Sequence, residues 1–212
     1  MTASTDLPAR ARLPRSARRV QLLAAAQEVF VTAGYHAAAM DDIADRAGVS
    51  KPVLYQHFPG KLELYLALLD QHAGAMVSAV RAALDSTTDN KQRVTATIQA
   101  YFDFVADDGG AFRLVFESDL VNERAVRERV DRVTHECADL ISAVIAEDAG
   151  LSQAQAMLLA VGLVGMAHVS ARYWLPREGN VPREEAVHLL AGLAWRGIGG
   201  FPRSGGTESA LP

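Results

Sequence analysis

A short stretch of the chain gathers Ser50, Lys51, Pro52, Val53, Tyr55, Gln56 and His57, with Lys61 close behind. Hydroxyls, ammoniums, an amide and an imidazole packed so closely suit recognition of a polyanion better than bond making. Lys51, Lys61 and the Tyr55 hydroxyl can meet phosphate, and Ser50 can both cap a helix and donate to phosphate. The Gln56 amide can pair with an adenine edge through two hydrogen bonds, and Pro52 or Val53 can touch a thymine methyl. His57 lies on the flank and reads either as a phosphate ligand or as a partly buried packing residue.

The flanking pattern supplies elements to hold these groups. Met40 to Ala47 reads as a short helix whose Ile43, Ala44 and Ala47 share one face. Gly48 follows where a helix commonly ends in a left-handed residue, and apolar Val49 should point inward from the turn. Ser50 is a good N-cap for a second helix, and Pro52 falls in its first turn, where a missing N–H costs nothing. Leu54 and Phe58, four apart, form its buried stripe, which turns Pro52 and Gln56 to the opposite side. Helix, glycine turn, short helix is the layout of a helix-turn-helix, whose second helix fits a DNA major groove.

These residues also carry a family resemblance. Gly34-Tyr35, then Ile43-Ala44-x-x-Ala47-Gly48-Val49-Ser50, then Leu54-Tyr55-x-His57-Phe58-x-x-Lys61, resemble the N-terminal DNA-binding domain of TetR-family bacterial transcriptional regulators over roughly Arg15 to Leu69. The resemblance implies contact roles for positions 50, 51, 52, 53, 55, 56, 57 and 61, a cytoplasmic homodimer on a double-stranded operator, and most often repression. One departure is the run Ala37-Ala38-Ala39 where such sequences often place Ser or Thr. It removes a side-chain cap and a phosphate donor ahead of the first motif helix. Asp41 and Asp42 still suit the positive end of that helix.

The net charge of −4 looks wrong for a DNA binder until it is divided. Residues 1–61 hold eight Lys or Arg against five Asp or Glu, and the remainder holds 13 against 20. The basic part would face phosphate and the acidic part would face away. A single cysteine, Cys137, leaves no internal disulfide and fits a reducing cytoplasm. It falls on the apolar stripe of a helix, which favours a core thiol over a nucleophile. The six His are scattered without HExxH spacing or a cysteine pair, so no metal site is expected. There is no phosphate-binding loop, dinucleotide glycine pattern or GxSxG elbow, so neither a cofactor nor an enzyme is expected. Acidic pairs such as Asp107-Asp108 and Glu184-Glu185 are ordinary for helix ends.

The fold expected is all-α, about nine helices: an N-terminal three-helix DNA-binding domain over residues 15–61 and a C-terminal helical bundle over 62–201. Residues 1–14 read as a disordered arm and 202–212 as a disordered tail. The arm is either a solvated tail or a source of phosphate and minor-groove contacts from Arg10 and Arg12, continued by Arg15. It lacks the apolar core of a secretory signal. Helices are expected near 15–33, 61–84, 91–106, 111–117, 123–147, 152–173 and 183–199. The uncharged run Ala149–Ala171 is broken by Ser152, Gln153, Gln155, His168 and Ser170, and reads as a buried bundle helix rather than a membrane span. The helix from Lys61 belongs to both halves and is the natural lever between them.

Two features of the C-terminal half have competing readings. Gly162 and Gly165 thin one helix, and Gly192, Ala194 and Gly197 thin the last one. They serve close packing within one chain or, with the resemblance added, a four-helix dimer interface. Phe102, Phe112, Phe116, His168 and Tyr173 are either plain core or the wall of a small-molecule effector pocket. Arg113 would then pair with an anionic ligand, or else with a neighbour such as Glu117.

Overall fold

A computed structural model of the chain describes residues 13–107, 120, 122–175 and 180–197; among these the regular elements are eight α-helices, with no strand. They are α1 (Arg15–Ala37), α2 (Met40–Ala47), α3 (Lys51–His57), α4 (Lys61–Asp85), α5 (Asn90–Asp107), α6 (Arg124–Ala149), α7 (Gln153–Trp174) and α8 (Arg183–Arg196). The all-α expectation holds. The aromatic helix expected over 111–117, with Phe112, Arg113 and Phe116, lies outside the described residues, as do Arg10 and Arg12 of the arm and the tail.

Two compact units part inside α4, between Leu68 and Leu69. The first is built on α1, α2, α3 and the start of α4. Its core takes Leu22, Ala26 and Phe30 from α1, Ile43 and Ala44 from α2, Leu54 from α3, and Leu64, Tyr65 and Leu68 from α4, each at most 2% exposed. Helix α1 is broken at Gly34 (φ 75°, ψ 164°), which turns the chain so that Tyr35 meets Phe30 and Tyr65 in an aromatic cluster with ring centroids 5.2–5.9 Å apart. Ala39 precedes α2 without a side-chain cap, as the alanine run requires.

The second unit packs α5–α8 with the rest of α4. Met76, Val80, Tyr101, Phe102, Val105, Val133, Cys137 and Ala138 are all buried, on helical spacings that leave α6's charged residues outside. Ser152 starts α7 with a capping box: Gln155 N–H donates to its hydroxyl, and the Ser152 N–H donates to the Gln155 side chain at 3.0 Å. Gln153 then donates to Ser142 Oγ at 3.0 Å, tying α7 to α6. The Arg129–Asp70 and Arg183–Asp103 ion pairs tie α6 to α4 and α8 to α5.

Helix α7 is not the buried rod that its composition suggests. Ala156, Ala160, Val164, Ala167, Ala171 and Trp174 form one buried stripe. Leu158, Val161, Val169 and Tyr173 are exposed on the rest of its surface. An all-apolar helix looks buried from sequence, but its small residues pack on only one side. Among the described residues α7 alone is long and apolar enough to cross a membrane by length and composition. The buried alanine stripe and the capping box are what a bundle helix carries.

Candidate nucleic-acid interface and bundle cavity

The motif turn is fixed by the backbone. Gly48 ends α2 at φ 63°, ψ 38°, and the N–H groups of Gly48 and Val49 donate to the carbonyls of Asp45 and Ala44 at 3.0 Å each. A β-carbon at Gly48 would meet nothing within 4 Å, so its glycine is needed for the left-handed backbone alone. Val49 is half-buried in the turn. Leu54 and Phe58 then anchor α3 at 0% and 2% exposure, and the Phe58 N–H closes the helix on the Leu54 carbonyl at 3.0 Å.

That anchoring sets the outer face. Ser50, Lys51, Pro52, Tyr55 and Gln56 are exposed, and Val53 and His57 are half-buried on the flanks. Ser50 occupies the N-cap position but makes no side-chain cap bond; its carbonyl accepts from Val53 and Leu54 instead. The expected capping role of its hydroxyl is therefore not used. Lys51 reaches across the motif to Asp41 of α2 at 2.6 Å, and this partner raises the lysine's pKa.

The sequence offered Arg15 as a phosphate contact, but not its grouping with Arg18 and Arg19 around His57. Burial, then the charges of Arg15, Arg19 and Arg18, hold the His57 imidazole below its ordinary value of 6.5. Arg19 lies over the Phe58 ring, 4.4 Å from its centroid. Arg18 donates to Gln21, whose amide donates to the Ala47 carbonyl at 2.7 Å and joins α1 to the end of α2. The first turn of α1 thus adds a cationic cluster beside α3. The spacing Arg15-x-x-Arg18-Arg19 was its only trace in the sequence.

Lys61 requires a correction. Expected at phosphate, its ammonium donates to the carbonyls of Tyr35, His36 and Ala38 at 2.8, 3.2 and 2.9 Å. It also lies 4.6 Å from the centroid of the Tyr35 ring. An ammonium has three donors, and these three carbonyls accept them.

Within the second unit, α4–α8 line a half-open cavity of about 720 Å³. Its walls are mainly apolar, from residues such as Val80, Ile98, Ile141, Val144, Leu163 and Met166, with Arg93, Thr97 and Tyr101 on α5 and Asp148 on α6 supplying polar groups. Arg93 donates to the carbonyls of Leu84 and Thr87, to Asn90 Oδ1 at 3.0 Å and to Asp148 Oδ2 at 3.1 Å. Tyr101 OH lies 3.3 Å from His168 Nδ1. Cys137 is buried at the wall, and desolvation pushes its thiol up to about 12, so it stays protonated.

The pocket residues read from the sequence fit this cavity poorly. Phe102 is core, its ring 5.4 Å from that of Trp174, and does not reach the wall. Tyr173 is 67% exposed on the outside of α7. His168 stands behind Tyr101 rather than on the wall. Of the aromatic residues singled out, Phe102 fills the core and Tyr173 faces outward, while Tyr101 and Trp195 join the mainly aliphatic wall.

The small residues divide similarly. β-Carbons at Gly162 or Gly165 would meet nothing within 4 Å, which removes close packing within one chain as their reason. Gly162 and Ala194 contribute to the cavity wall, and Gly192 is half-buried. Gly197, grouped in the sequence with the small residues of the last helix, has a backbone role of its own. It ends α8 with φ 68°, donating to the Leu193 carbonyl at 2.9 Å.

Residues 22–68 match the family described as bacterial regulatory proteins, tetR family, and residues 79–206 match the tetracyclin repressor-like C-terminal domain. The HTH-type transcriptional activator FasR of Mycolicibacterium smegmatis is 52% identical over 191 residues, covering 90% of this chain and 87% of that protein. A TetR-like transcriptional regulator from Rhodococcus sp. RHA1 superposes with a TM-score of 0.72 at 27% identity, over 90% of this chain and 100% of that one. FadR from Bacillus subtilis, solved in complex with stearoyl-CoA, has the same fold with a TM-score of 0.72 at 19% identity, over 84% of this chain and 98% of that one.

Proposed function

This chain belongs to the TetR family of DNA-binding transcriptional regulators, and from that premise we propose that it acts as a homodimer whose hold on its operator is set by an elongated, mainly apolar effector. The two α3 helices enter successive major grooves about 34 Å apart on one face of a near-palindromic duplex. Gln56, with Pro52 or Val53, meets the bases, and Ser50, Lys51, Tyr55 and the Arg15–Arg19 turn meet phosphates. The exposed apolar residues of α7 and α8 outside the cavity, among them Val161, Val169 and Leu189, with Gly165, pair with those of a second copy.

The observation that carries the effector reading is the cavity. Its size falls in the range of small-molecule sites, and a wall this apolar favours a hydrocarbon chain. The FadR complex suggests stearoyl-CoA as the first probe. Because α4 begins in the DNA-binding unit and ends at the cavity wall, an effector that tilts it changes the spacing of the two α3 helices. A ligand moves that balance only by the difference in its affinity for the two states.

The name of the 52% identical relative favours activation over the repression that the family resemblance first suggests. Promoter fusions with and without the gene separate the two: expression falls on deletion of an activator's gene and rises on deletion of a repressor's. The effector reading is tested by fluorescence anisotropy of labelled operator titrated with the full chain, with and without stearoyl-CoA. A tenfold or larger change in operator Kd is expected, which corresponds to about 1.4 kcal/mol of coupling. Equal affinity in both arms would contradict it.

A further inference from the structure

Arg93, Thr97 and Tyr101 stand at i, i+4 and i+8 on α5, so they form a row along one wall of the cavity. The outer two are satisfied. Arg93 spends its donors on two carbonyls, Asn90 and Asp148, and the Tyr101 hydroxyl meets His168. The middle one is not: Thr97 Oγ1 is buried and finds no hydrogen-bond partner among the described residues.

A helical threonine has an easy remedy, which is to bond the carbonyl four residues earlier. Thr32, Thr95 and Thr134 all take it, at 2.8, 3.1 and 3.0 Å, and so does Ser78 at 2.8 Å. Thr97, two residues from Thr95 on the same helix, does not. A buried hydroxyl without a partner is a cost that native interiors avoid unless something else completes it.

We propose that Thr97 is the specificity-determining residue of the cavity, hydrogen-bonding one uncharged oxygen carried by an otherwise apolar ligand. The proposal rests on reading this cavity as the effector site. The oxygen is uncharged because the Arg93 charge is already matched by Asp148, 3.1 Å away, and no other cation lines the wall among the described residues. A threonine hydroxyl both donates and accepts, so a carbonyl or a hydroxyl on the ligand fits. Apolar wall on either side of Thr97 supplies affinity without selectivity, and the single hydrogen bond supplies the choice of ligand.

The test compares octane, 1-octanol and 2-octanone as probes, with binding to the full chain read from the change in its tryptophan fluorescence, since Trp195, one of its two tryptophans, lines the cavity. The two oxygenated probes, which separate hydroxyl from carbonyl as the source, should bind about fivefold tighter than octane, a ratio typical of one net hydrogen bond. Thr97→Val should abolish the preference, leaving both oxygenated probes no tighter than octane because their oxygen is then buried without a partner, and Thr97→Ser should keep the preference. The ligand-free Thr97→Val protein should melt no lower than wild type, since its hydroxyl has no partner to lose. Equal binding of the three probes by wild type, or an unchanged ratio in Thr97→Val, overturns the proposal while leaving the cavity a ligand site. A lower melting temperature for ligand-free Thr97→Val overturns it by exposing an internal partner. Failure of every probe to bind wild type removes both the proposal and the effector reading.

Discussion

The Lys61 ammonium sits 2.8 Å from the Tyr35 carbonyl oxygen and 4.6 Å from the centre of the Tyr35 ring, so one side chain in the first turn of α4 holds both the backbone and the face of another residue. With the bonds to His36 and Ala38, it pins the turn from α1 into α2, and hence the entry to the DNA-binding motif. Lys61→Ala should therefore destabilise the fold by about 2 kcal/mol, in keeping with hydrogen bonds to a charged, partly buried group. Chemical denaturation checks this. At a temperature where the variant is folded, the slope of log K against log salt should match wild type; a slope lower by about 0.9 would return Lys61 to phosphate.

Lys51 and Gln56 should separate the two kinds of DNA contact. Lys51→Ala should weaken binding to all duplexes alike and lower the salt slope by about 0.9. Its pair with Asp41 is solvent-exposed, so little fold stability goes with it. Gln56→Ala should relax preference at one base pair by about 1–3 kcal/mol while leaving the salt slope unchanged. Competition titrations against single-base operator variants distinguish the outcomes, and uniform loss in Gln56→Ala would move that residue from base to backbone.

The His57 pKa lies below 6.5 because burial and three arginines disfavour its cation. The unfolded chain then binds the proton more readily. Stability should fall as pH drops from 6.5 towards the lower folded value, and level off below it. A phosphate beside the ring reverses the preference, so operator binding should raise the pKa and strengthen as pH falls through the same window. An NMR titration of the His57 ring with and without operator reads both; no change on adding DNA would make His57 a packing residue.

Gly48→Ala should cost about 1 kcal/mol, all from forcing φ 63° on a residue with a β-carbon, because the space beside it is open. Thermal unfolding measures it. A much larger loss would mean that the turn is crowded in solution.

How much of this was legible in the sequence depended on whether the deciding contact was local. Leu54 and Phe58 fix α3's orientation through i, i+4 spacing, and Gly48 marks the turn, so the wet face of Pro52, Tyr55 and Gln56 could be read directly. Arg18, Arg19 and Gln21 matter only because α1 folds back beside α2 and α3, and periodicity is silent about that. Lys61 was expected at phosphate because sequence cannot foresee that the break at Gly34 brings the carbonyls of Tyr35, His36 and Ala38 within its reach. The pocket was sought among aromatics such as Phe102, which packs on Trp174, whereas the wall is mainly aliphatic with Tyr101 and Trp195. The useful trace was Arg93, Thr97 and Tyr101 at four-residue spacing on a helix with apolar neighbours on that face.

The most direct measurement is selection of duplexes from a random-DNA pool by the purified chain, followed by salt-dependent binding to the winner. The account predicts enrichment of a near-palindrome with half-site centres one helical turn apart, about 34 Å, and loss of that enrichment in a Tyr55→Ala, Gln56→Ala double variant that melts like wild type. Enrichment of no sequence, or the same palindrome selected equally well by the double variant, would contradict the claim that α3 reads DNA.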